Sequence, residues 1–433
     1  MMVKDACSYL LATSVLWMVL GCTAIPLGQH DENLDLIPIN ISVPPVVLVP
    51  GIGGSIMSDA SSGVRVWIRL YEADTYFERF MWGRYNASSM KVEPFPGQPL
   101  VAPVLTGYGL DGIRNLDPSV RWPIYDYVAY FDAMIQELES QGWIHGVSLF
   151  GVPWDWRQSM CWTPTLDRLE EALRAARERN NGRKVALISH SMGALVVKCF
   201  MARRPEVFEE AVETWVAIAA PHQGASAKIF MEFLQGYNLG NIVIEAEAAK
   251  VLSLEAPAVY ELLPQENFQW EEQPYIALQW KNGTRQVFGE TSDMLGYDIP
   301  IRNSLVDHKM TLPWSGETLP EPFNEDCWEL SQSTRKEIFE VQHPQSLRFY
   351  NIYGTNQATP NGLEFTDVGD WRDLSSLKYS TTLTDGDGTV SVESASSHGL
   401  NASQSLGVNA DHMSILSKPD TLDFVLQALY GRI

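Results

Sequence analysis

Three residues in one chain order could do chemistry here: Ser191, then Asp387, then His412. A serine hydroxyl is a poor nucleophile until a base takes its proton, and that base needs a carboxylate to orient it. Together such groups open esters. The serine sits in Ser189-His190-Ser191-Met192-Gly193, a variant of G-x-S-x-G with serine at the first glycine position. In that motif a strand turns into a helix with almost no loop, so the turning residue is strained and its side chain stands above the sheet edge. Small flanking residues let the two backbones nearly touch, and serine is small enough. An ordinary helix cap would also put a serine here, so the pentapeptide alone leaves both readings open.

The base and acid must come later in the chain. Only His398 and His412 follow a plausible acid loop, Thr384-Asp385-Gly386-Asp387-Gly388-Thr389-Val390. Glycines on both sides of Asp387 suit a tight turn after a strand. A calcium loop would look similar, but its ladder breaks at Thr389 and lacks the closing glutamate, so no metal is expected. His412 lies in the loop Asn409-Ala410-Asp411-His412-Met413, whereas His398 reads as a surface turn and His190 and His222 as pocket walls. A glycine-rich loop, Pro50-Gly51-Ile52-Gly53-Gly54-Ser55, follows the apolar run Val46–Val49. A dinucleotide loop would need glycine where Ile56 stands, so the favoured reading is a loop that lends a backbone N–H to an oxyanion.

These residues need a scaffold. Val185–Ser189 reads as a buried strand and Met192–Met201 as the helix behind Ser191. The spacing predicts a helix over Tyr127–Gln141, a strand over Val147–Phe150, a helix over Thr165–Arg179 and a strand over Thr214–Ala219. Alternating strands and helices predict a doubly wound α/β fold with the serine at a strand C-terminus. The alternation is lost from Ala225 to about Gln345, which reads as an inserted cap, and returns with a strand at Leu347–Tyr353 and a closing helix at Thr421–Leu429. Val64 to Tyr85 holds seven aromatic residues, as core packing or as a lipid-facing lid within an insertion of about residues 56–125.

Composition narrows the partners. The 433 residues are 45% hydrophobic and carry a net charge of −22. Such a chain can bury a large core, and it lacks the basic surface that nucleic acid requires. Any lipid contact must then be apolar rather than electrostatic. Residues 1–24 have the length of a signal peptide, with an uncleaved anchor as the alternative. Sequons at Asn40, Asn86, Asn282 and Asn401 suit a secretory route. Of the cysteines beyond the leader, Cys199 reads as a small apolar residue, and Cys161 with Cys327 as a possible bridge.

The segments PGIGGS, PWDWR, SHSMG, DGDGTV and ADHM, in this order, resemble the lecithin:cholesterol acyltransferase family, which includes lysosomal phospholipase A and plant phospholipases. The resemblance implies an α/β-hydrolase fold with a mostly parallel central sheet and cap and lid insertions, residues 44–433 forming one domain. It implies Ser191 as nucleophile, Asp387 as orienting acid, His412 as base, and the N–H groups of Ile52 and Met192 as the oxyanion hole. Trp156 and Arg157 would shape the acyl site. The activity implied is cleavage of a fatty acyl ester of a glycerophospholipid at a membrane or lipoprotein surface, with transfer to water or a lipid alcohol and no cofactor. A catalytically silent lipid-binding protein and a neutral-lipid lipase are the alternatives. Animal members close a lid with a disulfide near the first loop, yet no cysteine lies between Cys22 and Cys161 here.

Overall fold

The computed structural model describes residues 43–69, 73–120, 125, 128–236, 244–265, 268–289 and 296–433. The leader expected over residues 1–24, with Cys7 and Cys22, and the sequon at Asn40 lie outside the described residues.

Short apolar runs bounded by proline, glycine or polar turns become strands, because they are too short to bury a helical stripe. In chain order those of the two larger sheets are β1 (Val46–Val49), β2 (Leu149–Gly151), β3 (Val185–His190), β4 (Val212–Ile218), β5 (Tyr275–Trp280), β6 (Arg285–Phe288), β7 (Arg348–Thr355), β8 (Gln357–Val368), β9 (Tyr379–Gly386) and β10 (Gln404–Asn409). The central sheet has six strands in the order β10-β7-β4-β3-β1-β2. Every pairing in it is parallel.

A parallel sheet needs both faces covered, and the side chains divide accordingly. Along β1, Val47 and Val49 join one apolar cluster while Val46 and Leu48 join the other. Along β3 the split is Val185 and Leu187 against Ala186 and Ile188, as the period of two requires. Helices α1 (Asp132–Ser140), α2 (Thr163–Arg179), α3 (Gly193–Arg203) and α5 (Pro419–Leu429) supply the covers, while α4 (Ser226–Gln235) packs against β5 and β8. Leu166, Leu169 and Leu173 of α2 and Val196, Val197 and Phe200 of α3 pack on one face. Met134, Ile135 and Leu138 of α1 and Phe424, Val425 and Leu429 of α5 pack on the other. Each fully buried side chain of this size contributes about 1.5–3 kcal/mol, so β1 and β3, buried along their whole length, are firmly held where they lead into the glycine loop and Ser191.

The helix expected from Tyr127 begins only at Asp132. Residues before it pair instead with the preceding segment: Leu116 N–H donates to Val128 O (2.8 Å) and Tyr130 N–H to Arg114 O (3.0 Å). That pairing fixes where Tyr130 stands.

The insertion after β1 makes small antiparallel pieces, with Met57–Asp59 between Arg65–Trp67 and Val101–Pro103, and Gly83–Asn86 against Lys91–Pro94. Its helix Ala73–Met81 buries Phe77, and Trp82 just after it is buried too, so core packing accounts for these two aromatics. The expected cap does not close at residue 345. Its strands β5 and β6 belong to a four-stranded sheet, β6-β5-β8-β9, whose other half comes from residues 357–386. β9 lacks a continuous apolar run, and its partner β8 lies next to it rather than within the cap.

The expected pairing of Cys161 with Cys327 is corrected by a disulfide between Cys161 and Cys199, with Cα atoms 5.5 Å apart, while Cys327 is a buried free thiol. Cys199 faces the segment just before α2, and spacing along one helix does not reveal which neighbour it faces.

Candidate active site

Ser191 is the residue between β3 and α3, and its φ of +52° puts it in the left-handed region that non-glycine residues avoid. The turn survives because its neighbours yield space. A Cβ on Gly193 would lie 2.5 Å from Val49 O and 2.6 Å from Pro50 O, so helix and strand could not approach with any side chain there. Ser189, at the first motif position, is fully buried, and its Oγ accepts a hydrogen bond from Trp215 Nε1 at 2.8 Å. The serine that replaces glycine is thus a satisfied buried hydroxyl.

Asp387 follows β9, the edge strand of the second sheet, and His412 follows β10, at the edge of the central sheet. Distant loops bring them together. His412 Nδ1 is 2.7 Å from Asp387 Oδ2, and His412 Nε2 is 2.9 Å from Ser191 Oγ. The His412 N–H also donates to Asp387 O at 2.9 Å. Asp387 Oδ1 accepts from the amides of Thr389 (2.9 Å) and Val390 (2.7 Å). Burial alone would raise this carboxyl, but the facing His412 and the two amides outweigh it and hold it below its ordinary value. The tight turn expected from the flanking glycines therefore delivers donors to the ionised form.

The glycine loop reaches the same point. Gly54 N–H returns to Gly51 O (3.1 Å), a turn that leaves the intervening Ile52 amide outside its hydrogen bond. Met192, the residue that caps the start of α3, carries an N–H with no intrahelical acceptor by helix geometry. A Cβ on Gly51 would stand 2.7 Å from Ser191 Cβ, so only glycine lets this loop lie against the serine. Trp154 braces the loop, its N–H on Ser55 Oγ (3.0 Å) and its Nε1 on Pro50 O (2.9 Å). The sequence singled out its neighbours instead.

Ser191 and His412 open into a cavity of about 360 Å³ whose walls include Trp67, Ile68, Leu116, Ile229, Leu262 and Val390. Lys228 and Glu232 of α4 are the charged exceptions in that lining. Trp156 and Arg157, expected to shape the acyl site, do not line it. Trp156 is fully buried behind Trp67, ring centroids 5.0 Å apart, and Trp67 takes its place at the wall. Arg157 is held by Asp155 (2.7 Å) and by Met81 O (3.0 Å), which ties the insertion to the core.

His190 does line the cavity, as expected of a wall. His222 is buried beside Asn351 and His398 instead. His398 is not a free surface turn: it packs on Phe349 and its carbonyl accepts from the buried Lys198 at 2.8 Å. Among the described residues, the one grouping of donors close enough to share a metal ion is Cys161, Cys199 and Glu337, and both its sulfurs are spent in the disulfide.

A helix-covered parallel sheet that presents a strained serine at a strand end, with histidine and acid on later loops, defines the α/β-hydrolase class. A chain in the crystal structure of the Tle4-Tli4 complex shares this fold, with a TM-score of 0.55 at 14% identity over 91% of this chain and 98% of that one. A family model described as "Lecithin:cholesterol acyltransferase" matches residues 104–404, and the chain belongs to that family. It is 35% identical to "Lecithin-cholesterol acyltransferase-like 4" of Arabidopsis thaliana over 86% of this chain and 73% of that one. It is 32% identical to "Phospholipase A(1) LCAT3" of the same plant over 89% and 90% of the respective chains.

Proposed function

We propose that this protein is a serine acyl hydrolase acting on glycerophospholipids, with Ser191 as nucleophile, His412 as general base and Asp387 as its orienting acid. The observation that carries the reading is the continuous hydrogen-bonded line from Asp387 through His412 to Ser191 at the mouth of an apolar cavity. A relative of nearly the same extent bears the name phospholipase A(1), which supports a phospholipid ester as the substrate.

Ser191 Oγ attacks the ester carbonyl as His412 Nε2 takes its proton, and the carbonyl oxygen becomes an oxyanion facing the amides of Ile52 and Met192. The intermediate collapses by breaking the bond to the lysophospholipid oxygen, which leaves with the proton from His412. An acyl-enzyme remains, its chain in the apolar cavity. Water or a lipid alcohol then gives its proton to His412, attacks the acyl carbon and frees Ser191. Both outcomes share the first half, so exclusion of water from the cavity sets their ratio. The domain is read as residues 44–433, with lid and cap insertions bordering the cavity. The disulfide and the exposed sequons at Asn282 and Asn401 support an oxidising, secretory compartment. Among the described residues no helix is long and apolar enough to cross a membrane.

Ser191→Ala is expected to lower fatty acid release from phosphatidylcholine vesicles on the order of a millionfold. Release at the wild-type rate by the purified variant would remove Ser191 from the mechanism.

A further inference from the structure

Behind the catalytic line runs a second chain of hydrogen bonds that the reaction itself does not use. The Tyr130 hydroxyl lies 2.9 Å from the Gly51 amide and 2.8 Å from His190 Nδ1. His190 Nε2 lies 2.9 Å from the carbonyl oxygen of His412. Tyr130 is 5% exposed and His190 1%, so water does not compete for these partners.

The direction of each bond is forced. A carbonyl can only accept, so His190 Nε2 carries a hydrogen. Burial first, and then the neighbouring His412, pushes His190 down to about 3, so its ring is neutral and Nδ1 is a bare acceptor. Tyr130 must then donate to Nδ1, which leaves its oxygen to accept from Gly51 N–H. One arrangement of protons satisfies every group. It runs from the loop that carries the Ile52 amide to the backbone of the residue that carries the base.

We propose that Tyr130 and His190 are positioning residues, a two-member strut that fixes the oxyanion loop and the His412 backbone relative to Ser191. The inference rests on the hydrolase reading above. Without the strut, His412 keeps its amide bond to Asp387 O but loses the bond on its carbonyl, and Gly51 N–H loses its acceptor. Displacements of the order of an ångström in such a site cost roughly a hundredfold in rate. The rival role for Tyr130, donating to the oxyanion itself, conflicts with the geometry, because its single hydrogen is committed to His190.

Three variants of the full chain, Tyr130→Phe, His190→Leu and His190→Gln, separate the possibilities, assayed on phosphatidylcholine vesicles well below each variant's melting temperature. Y130F and H190L are each expected to lose roughly 30- to 100-fold in kcat with KM within about twofold, and to slow fluorophosphonate labelling of Ser191 in parallel. The Y130F/H190L double variant should be no slower than the slower single one, since each breaks the same strut. H190Q, whose amide can both donate to His412 O and accept from Tyr130, should recover much of the loss. Wild-type kcat in Y130F, equal activity in H190L and H190Q, or losses that multiply in the double variant would each overturn the proposal. So would a loss in Y130F with none in H190L, which would make Tyr130 an oxyanion donor. Y130F removes a single oxygen and keeps the ring, so it remains informative if the His190 variants fail to fold. Should the wild-type chain itself resist labelling, the hydrolase reading fails; labelling that Y130F leaves untouched sinks the strut alone.

Discussion

Asp387 beside His412 and Glu321 beside Arg84 are equally withdrawn from water, 1% and 0% exposed, yet they are pushed in opposite directions. Asp387 has two amides on one oxygen and His412 on the other, and it stays below its ordinary value despite burial. Glu321 shares one guanidinium with a second carboxylate: Arg84 reaches Glu255 Oε1 at 2.8 Å and Glu321 Oε2 at 3.0 Å. Glu255 also takes the Tyr85 amide (2.8 Å) and Asn324 (2.9 Å). Burial, and then the Glu255 carboxylate, drives Glu321 up to about 8. Burial holds Glu255 above its ordinary value as well, despite its donors, so at like depth the direction turns on whether the donors outweigh desolvation, and of these three acids they do so at Asp387.

The largest effect that tests this contrast is on the Asp387 side. Asp387→Asn is expected to lower kcat about 10⁴-fold, because the imidazolium loses its counter-charge and its tautomer is no longer enforced. Steady-state hydrolysis measures it, and a variant with near-normal kcat would break the contrast at its catalytic end. Next comes the disulfide, which ties down the helix that follows Ser191 without touching either carboxyl. Replacing both Cys161 and Cys199 by alanine opens a loop of 38 residues and should cost about 4 kcal/mol by loop-closure entropy, read by denaturant titration, with kcat retained in the folded fraction. Smallest is Glu321→Gln. A carboxyl held above its unfolded value of 4.5 keeps a proton that the unfolded chain has released, so this group costs stability as pH rises from 4.5 to about 8. The melting temperature of the wild type should therefore carry a downward contribution from this group between pH 5 and 8, and E321Q should remove it while leaving kcat unchanged. An identical pH slope in the variant would show that Glu321 does not hold that proton.

The same two regions differ in how far they could be read from residues. The central sheet was legible because β1 and β3 are apolar runs and because SHSMG states the strand-to-helix turn in consecutive residues. The Asp387 loop was legible through its glycines and the His412 loop through chain order, although not the sheet from which Asp387 departs. β9 is largely exposed along its length, and β5 finds β8 some eighty residues later, so no local period announces the second sheet. Trp156 and Arg157 sit one layer behind the wall because Trp67 interposes, a fact of tertiary packing. Tyr130 escaped for a related cause: it looked like one more residue of a helix that in fact starts two positions later. The partner of Cys199 was equally beyond reach, since a helix does not say which neighbour it will meet.

The second sheet has a practical consequence for building hybrids with other family members. Its strands come from both sides of β7, and its last strand hands the chain directly to Asp387. A graft that exchanged only residues 225–345 would carry β5 and β6 to a new host while leaving β8 and β9 behind, and the seam would run through hydrogen-bonded neighbours of the acid. The transplantable unit is therefore discontinuous: β5 and β6 travel with β8, β9 and the Asp387 loop, and Ser191 stays with the recipient.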